Sequence, residues 1–263
     1  MKNFFQNKFD FVVSIGEDCA CTSYLRRCKL QHNSYPFDWL TNASLGSRID
    51  LIIDNFLDFF NIEDLKELKK KANNHNDKVF DLYENIKNGF YFYHDFPANI
   101  PLEQAYVSVK EKYERRIRRF YKEIGDANKI LFIWLSHSKQ HTEQEIVLEY
   151  KKLKEKFELK EIFLLIIENS QSKSIKVLEN AHILMISQDT ISDDKKHHYD
   201  QTMGNKTNNL RIFRQIKLNL TFKEKVKKLS FSICVALTNL IFVKRVRTIA
   251  KGKLNKAFYH TKL

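Results

Sequence analysis

Phe9-Asp10-Phe11-Val12-Val13-Ser14-Ile15-Gly16-Glu17-Asp18-Cys19-Ala20-Cys21 opens on an apolar run of strand length, turns at a glycine and passes directly into a segment of helical period. An apolar run this short, ended by a polar turn, reads as a buried strand, here 9–15, and the helix after it as 18–28. The same alternation continues along the chain. Strands are predicted at 90–93, 129–135, 161–167 and 182–187, and helices at 45–60, 103–124, 143–157 and 172–178. Several of these helices carry acids early and bases late, as the helix dipole favours. Strands alternating with helices predict an α/β fold, a three-layer, mostly parallel sheet of Rossmann or flavodoxin-like type with helices on both faces. Residues 188–205 are polar and read as a long loop, with 206–220 as the closing helix.

The formal charge of +13 first suggests a nucleic-acid partner, and its distribution removes that argument. From Lys206 to the end there are fifteen Lys and Arg against one acid, Glu224, which leaves 30 bases against 31 acids in the first 205 residues. A nearly neutral domain, 1–220, therefore carries a strongly basic tail, 221–263. Within the tail the apolar run 229–243 falls short of the ~20 residues that cross a bilayer. Its flanks hold Lys225, Lys227 and Lys228 on one side and Lys244, Arg245 and Arg247 on the other. That pattern predicts amphipathic helices lying on an anionic membrane surface. Four cysteines and no secretory pattern at the start predict a cytoplasmic protein, peripheral to the inner membrane. Cys19-Ala20-Cys21 lacks the spacing of a zinc site, and neither a metal nor another cofactor is expected.

Ligands of open α/β sheets bind beyond the carboxyl ends of the strands. Those positions here are Gly16-Glu17-Asp18-Cys19, His94-Asp95, Ser136-His137-Ser138, Glu168-Asn169 and Gln188-Asp189. Cys19 starts a helix, where unpaired N–H groups and the dipole are expected to stabilise a thiolate. His94 is the candidate base, with Asp95 or Asp38 orienting its ring, and His137 and His197 are the other candidates. Gly16, Glu17, Asp18 and His137 are expected to line the substrate site, with Trp39 as an aromatic wall. On the long helix, Lys112, Arg115, Arg116 and Arg119 are spaced by three and four residues, a band suited to gripping a phosphate or carboxylate.

Taken together, Ser14-Ile15-Gly16-Glu17-Asp18-Cys19, Leu25-Arg26-Arg27, Pro36-Phe37-Asp38-Trp39-Leu40, His94-Asp95-Phe96 and the run from Lys112 to Phe120 resemble the motifs of DUF1796, a bacterial family labelled putative papain-like cysteine peptidase. The resemblance covers about residues 9 to 215. It implies a site built on Cys19 and His94 with Asp38 or Asp95 in support, and a setting in surface-polysaccharide metabolism. The expected function is a cysteine-dependent hydrolase or acyl transferase acting on a surface glycan at the cytoplasmic membrane face. A second reading is a non-covalent or transferase-like protein that holds a phosphorylated sugar or lipid-linked glycan. A third is an SGNH-like esterase, for which Asp194-Lys195-Lys196-His197 supplies the Asp-x-x-His spacing.

Overall fold

The computed structural model describes residues 1–75, 78–190 and 205–220, and of the C-terminal segment positions 230, 233–234, 237–238 and 248–254. The chain divides into two compact units, Met1–Lys217 and Leu218–Leu263.

The first unit is mixed α/β. Its larger sheet has five strands: β2 (Phe11–Ser14), β7 (Lys129–Ser136), β8 (Glu161–Asn169) and β10 (Ile183–Gln188) are parallel in that order, and β9 (Ser174–Leu178) pairs antiparallel with β10 at the edge. A two-residue strand, β1 (Lys8–Phe9), precedes β2. The near-continuous Val, Ile, Leu and Phe content of β7 and β8 suits strands buried on both faces. Alternate residues divide between the two faces. Phe11, Val13, Ile130, Phe132, Trp134, Ile162, Leu164 and Ile166 join one large core, packed with α3 (Leu45–Ile53), α4 (Leu102–Asp126) and α5 (Glu143–Lys156). On the other face, Phe163 meets Phe4 of α1 (Lys2–Gln6), α2 (Cys19–Arg27) packs on β2 and β7, and its Tyr24 ring lies 5.3 Å from Phe213 of α6 (Lys206–Phe213).

A second sheet corrects the expectation of one mostly parallel layer. β3 (Leu40–Thr41), β6 (Phe90–Pro97), β5 (Lys78–Asn85) and β4 (Leu65–His75) form an antiparallel sheet in that order. The strand predicted at 90–93 belongs to it, so β6 lies outside the parallel sheet. The β4–β5 hairpin was not predicted, because the Lys-rich sequence of β4 has no apolar alternation. β4 is an edge strand, exposed from 66 to 71, and lysines at such an edge discourage pairing with other chains. Between this sheet and α4, the rings of Phe37, Phe56, Phe59, Phe60, Phe90 and Tyr113 interlock.

Two helix ends lie where the sequence has no glycine to mark them. α3 stops at Ile53, short of the predicted 60, because Asn55 turns left-handed (φ 54°), and the amides of Asn55 and Phe56 close back on the carbonyls of Ile52 and Leu51. α2 ends the same way, with Lys29 at φ 59° and the amides of Lys29 and Leu30 returning to Arg26 and Leu25. The helix predicted at 172–178 is the edge strand β9, whose β-branched Ile175 and Val177 alternate with Lys176. Among the described residues no helix is long and apolar enough to cross a membrane.

Candidate active site

Gly16 carries the chain out of β2 so close to its neighbours that a Cβ there would sit 2.6 Å from Cys21 Cβ and 3.3 Å from the Leu135 backbone. That contact presses the start of α2 onto the end of β7. Glu17 continues the join. Its amide donates to Leu135 O (2.9 Å), and its carboxylate accepts from Ser136 Oγ (2.6 Å), His137 N (3.0 Å), Ser138 N (3.2 Å) and the Ser138 hydroxyl. Burial opposes ionisation of Glu17, but these hydroxyl and amide donors outweigh it and hold the carboxyl below its ordinary value. Glu17 therefore ties two strand ends together.

Asp18 caps α2, its Oδ1 accepting from Ala20 N at 2.8 Å. Its Oδ2 lies 3.8 Å from His137 Nε2. Burial raises the Asp18 carboxyl, and His137 works against that rise. Neither ring nitrogen of His137 has a hydrogen-bond partner among the described residues, and both are shielded from solvent. Cys19 is the first residue of the helix and is partly buried. Its thiol is pushed up to about 12, first by burial and then by the charge of Asp18. The expected helix-end thiolate is thus outweighed, and Cys19 rests as a neutral thiol.

Beneath this turn lies Arg48 of α3, fully buried against the rings of Phe37, Phe90 and Trp134. Its Nη2 donates to Glu17 O (3.0 Å) and Leu40 O (3.2 Å), while Nη1 has no partner among the described residues. Burial lowers its pKa to about 9, partly offset by Asp18 and Glu17. Sequence reading missed Arg48, since a lone arginine in an amphipathic helix reads as a solvated side chain.

His94 and Asp95 do not follow a strand of the parallel sheet. Both lie on β6, where neighbouring side chains point to opposite faces. The His94 ring meets Trp39 (6.3 Å) and Phe80 (6.4 Å), whereas buried Asp95 accepts from Tyr113 Oη (2.9 Å) and pairs with Lys112. Asp38 is buried and accepts from Thr22 Oγ1 (3.0 Å), Gln31 Nε2 (2.6 Å) and Tyr35 N (2.9 Å). Burial pushes its carboxyl up to about 6 against these donors and the charges of Arg26 and Arg116. Asp38 and Asp95 thus hold the scaffold around Trp39. Arg116 and Arg119 turn inward, whereas exposed Arg115 pairs with Glu111 at 3.8 Å.

A second carboxylate–imidazole pair stands at the ends of β7 and β8. His141 Nδ1 is 2.6 Å from Glu168 Oε1, which also accepts from Trp134 Nε1 at 3.2 Å, and Oε2 accepts from His141 N at 3.0 Å. His141 borders a shallow groove of about 570 Å³ that includes Thr142, Lys176 and Ser187. Nothing in the local sequence singled out His141, which lies five residues beyond its strand. Asp194 and His197 lie outside the described residues. Among the described residues no group of three or more His, Cys, Asp or Glu is placed to hold a metal ion.

Against this geometry, a sequence profile of the DUF1796 family, described as putative papain-like cysteine peptidase, matches residues 10–189. The chain belongs to this family. Within DUF1796, the matched span includes the parallel strands, Cys19, His137 and the second sheet. The chain is also similar to Uncharacterized protein R408 of Acanthamoeba polyphaga mimivirus, with 31% identity over 134 residues, covering 46% of this chain and 59% of that relative. No solved structure matches it.

Proposed function

We propose that this DUF1796 protein is a cysteine-dependent acyl hydrolase or acyl transferase, with Cys19 as nucleophile and His137 as base. The observation that carries this reading is the placement of an imidazole, with no hydrogen-bond partner among the described residues, 3.8 Å from the carboxylate of Asp18, the residue before Cys19. The resting thiol is neutral, so attack on a carbonyl needs a base at the same moment. As the Sγ–carbon bond forms, the thiol proton passes to His137, and Asp18 stabilises the resulting imidazolium. The positive end of α2 faces the oxyanion of the tetrahedral intermediate. Collapse returns the proton to the departing group and leaves a thioester on Cys19, which water or an acceptor hydroxyl then cleaves.

The family description supports hydrolysis by a cysteine nucleophile, and a surface glycan is the substrate class we assign to it. The tail supports a reaction at the cytoplasmic face of an anionic membrane, because its bases attract anionic lipid at about 1 kcal/mol each. Ile233 and Leu237, both exposed and each at a helical position, supply an apolar pair four residues apart in sequence. The test is turnover of an activated thioester by the full chain. Cys19→Ala and His137→Ala are each expected to abolish it, and activity retained in Cys19→Ala would overturn the reading. His197→Ala serves as the arm for the Asp-x-x-His alternative. Sedimentation with phosphatidylserine vesicles, with and without residues 223–263, tests the membrane role.

A further inference from the structure

The basic band of α4 divides in two. Arg115 and Arg118 face outward and pair with Glu111 and Glu114 one turn back, at 3.8 and 3.9 Å. Lys112, Arg116 and Arg119, at i, i+4 and i+7, share the inner face, Arg116 and Arg119 toward the loop after α2 and Lys112 toward β6. Arg119 Nη1 donates to Ser34 O at 2.8 Å, and from α2 Arg26 Nη2 donates to Ser34 Oγ at 2.7 Å, so two elements grip one loop residue. Lys112 is matched by Asp95. Arg26 and Arg116 have one carboxylate between them.

The carboxylate that both guanidiniums sense is Asp38, 3.9 Å from Arg26 Nη2, and Asp38 already accepts three hydrogen bonds. Burial lowers the pKa of Arg26, Asp38 opposes that, and the like charge of Arg116 lies close enough to lower it further. Arg26 Nε and Arg116 Nη1 are buried and have no partner among the described residues. Each guanidinium is backed by a ring, Arg26 by Trp39 at 5.2 Å and Arg116 by Tyr113 at 5.1 Å, which fixes its plane. Planar forks, held rigidly with surplus positive charge and unused donors, are what recognises a tetrahedral oxyanion.

We propose that Arg26 and Arg116 form a binding site for the phosphoryl group of a ligand, with Trp39 and His94 walling the part to which that group is attached. The ring centroids of Trp39 and His94 are 6.3 Å apart, edge to face. Cys19, Thr22 and Arg26 share one face of α2, so the site lies about 10 Å along the helix from the thiol at 1.5 Å per residue. It is independent of covalent chemistry at Cys19, because it is read by binding alone.

The experiment titrates the full chain with orthophosphate and with methyl phosphate, with acetate and chloride at matched ionic strength, following melting temperature and heat of binding. The expected result is a saturable rise in melting temperature with the phosphates that acetate and chloride do not match. Arg26→Gln and Arg116→Gln should each weaken it at least about tenfold, while Arg115→Gln leaves it unchanged. An acetate response equal to that of phosphate, or an Arg116→Gln protein that binds phosphate like wild type, overturns the proposal. Should a variant fail to fold, the Nε–H resonances of Arg26 and Arg116 in the wild-type protein decide it. They shift on phosphate addition if the site is right, and unmoved resonances overturn it.

Discussion

His137 Nε2 and Asp18 Oδ2 stand 3.8 Å apart across the gap between the end of β7 and the first turn of α2, with Cys19 next in the chain. The same carboxylate raises the thiol pKa and is positioned to hold an imidazolium. Its two effects on reactivity therefore oppose each other and can be separated.

Asp18→Asn keeps the helix cap, since asparagine serves as well there, and removes the charge. Alkylation of Cys19 by iodoacetamide at pH 8 should accelerate about tenfold for each pKa unit the thiol falls. Turnover of an acyl substrate should drop, because the imidazolium has lost its counter-charge. Alkylation and turnover rates measured on one preparation check this, and a parallel rise in both would refute the role given to Asp18.

Two carboxyls should shape stability against pH in opposite directions. Glu17 is held below its ordinary value of 4.5, so its contribution is complete above that pH and is lost as pH falls through the folded value. Asp38 is raised from 3.8 to about 6, so its folded form prefers the proton, and a cost on the order of 3 kcal/mol sets in as pH rises from 4 through 6. Urea unfolding between pH 3 and 7 should show Glu17→Gln flattening the acid limb and Asp38→Asn removing the slope between pH 4 and 6. Asp38→Asn should also be less stable overall, because its amide nitrogen confronts donors.

Glu168→Ala leaves Trp134 Nε1, His141 Nδ1 and the His141 amide without their acceptor in a buried setting. The expected loss is about 2–4 kcal/mol, with a change in Trp134 fluorescence of the native state. A urea midpoint within error of wild type would show that this network contributes nothing to stability.

Gly16→Ala tests the close approach of β2 to α2. The new methyl meets Cys21 Cβ and the Leu135 backbone, neither of which is the free end of a flexible chain. A loss of about 1–3 kcal/mol is expected, with slower turnover as Cys19 shifts relative to His137. Unfolding and single-turnover measurements check the two parts separately.

What was legible in the sequence was local. The runs of apolar residues in β7 and β8 and the glycine turn ahead of Cys19 are patterns written within a few residues. They located Cys19 at the start of a helix behind a strand and found four of the five strands of the parallel sheet. The charge division between domain and tail was equally a matter of counting. The β4–β5 hairpin escaped because an edge strand facing water carries no apolar alternation, and the end of α3 escaped because Asn55 takes a role that usually belongs to glycine.

The site was decided by contacts between residues far apart in the chain. Glu17 meets Ser136 across 119 positions, Arg48 reaches Glu17 across 31, and His141 meets Glu168 across 27. Sequence alone determined that Cys19 leads a helix. Only tertiary structure decided that His137 stands beside Asp18 while His94 turns toward Trp39, because β6 pairs into a separate antiparallel sheet and the fate of a strand-end residue depends on which sheet its strand joins.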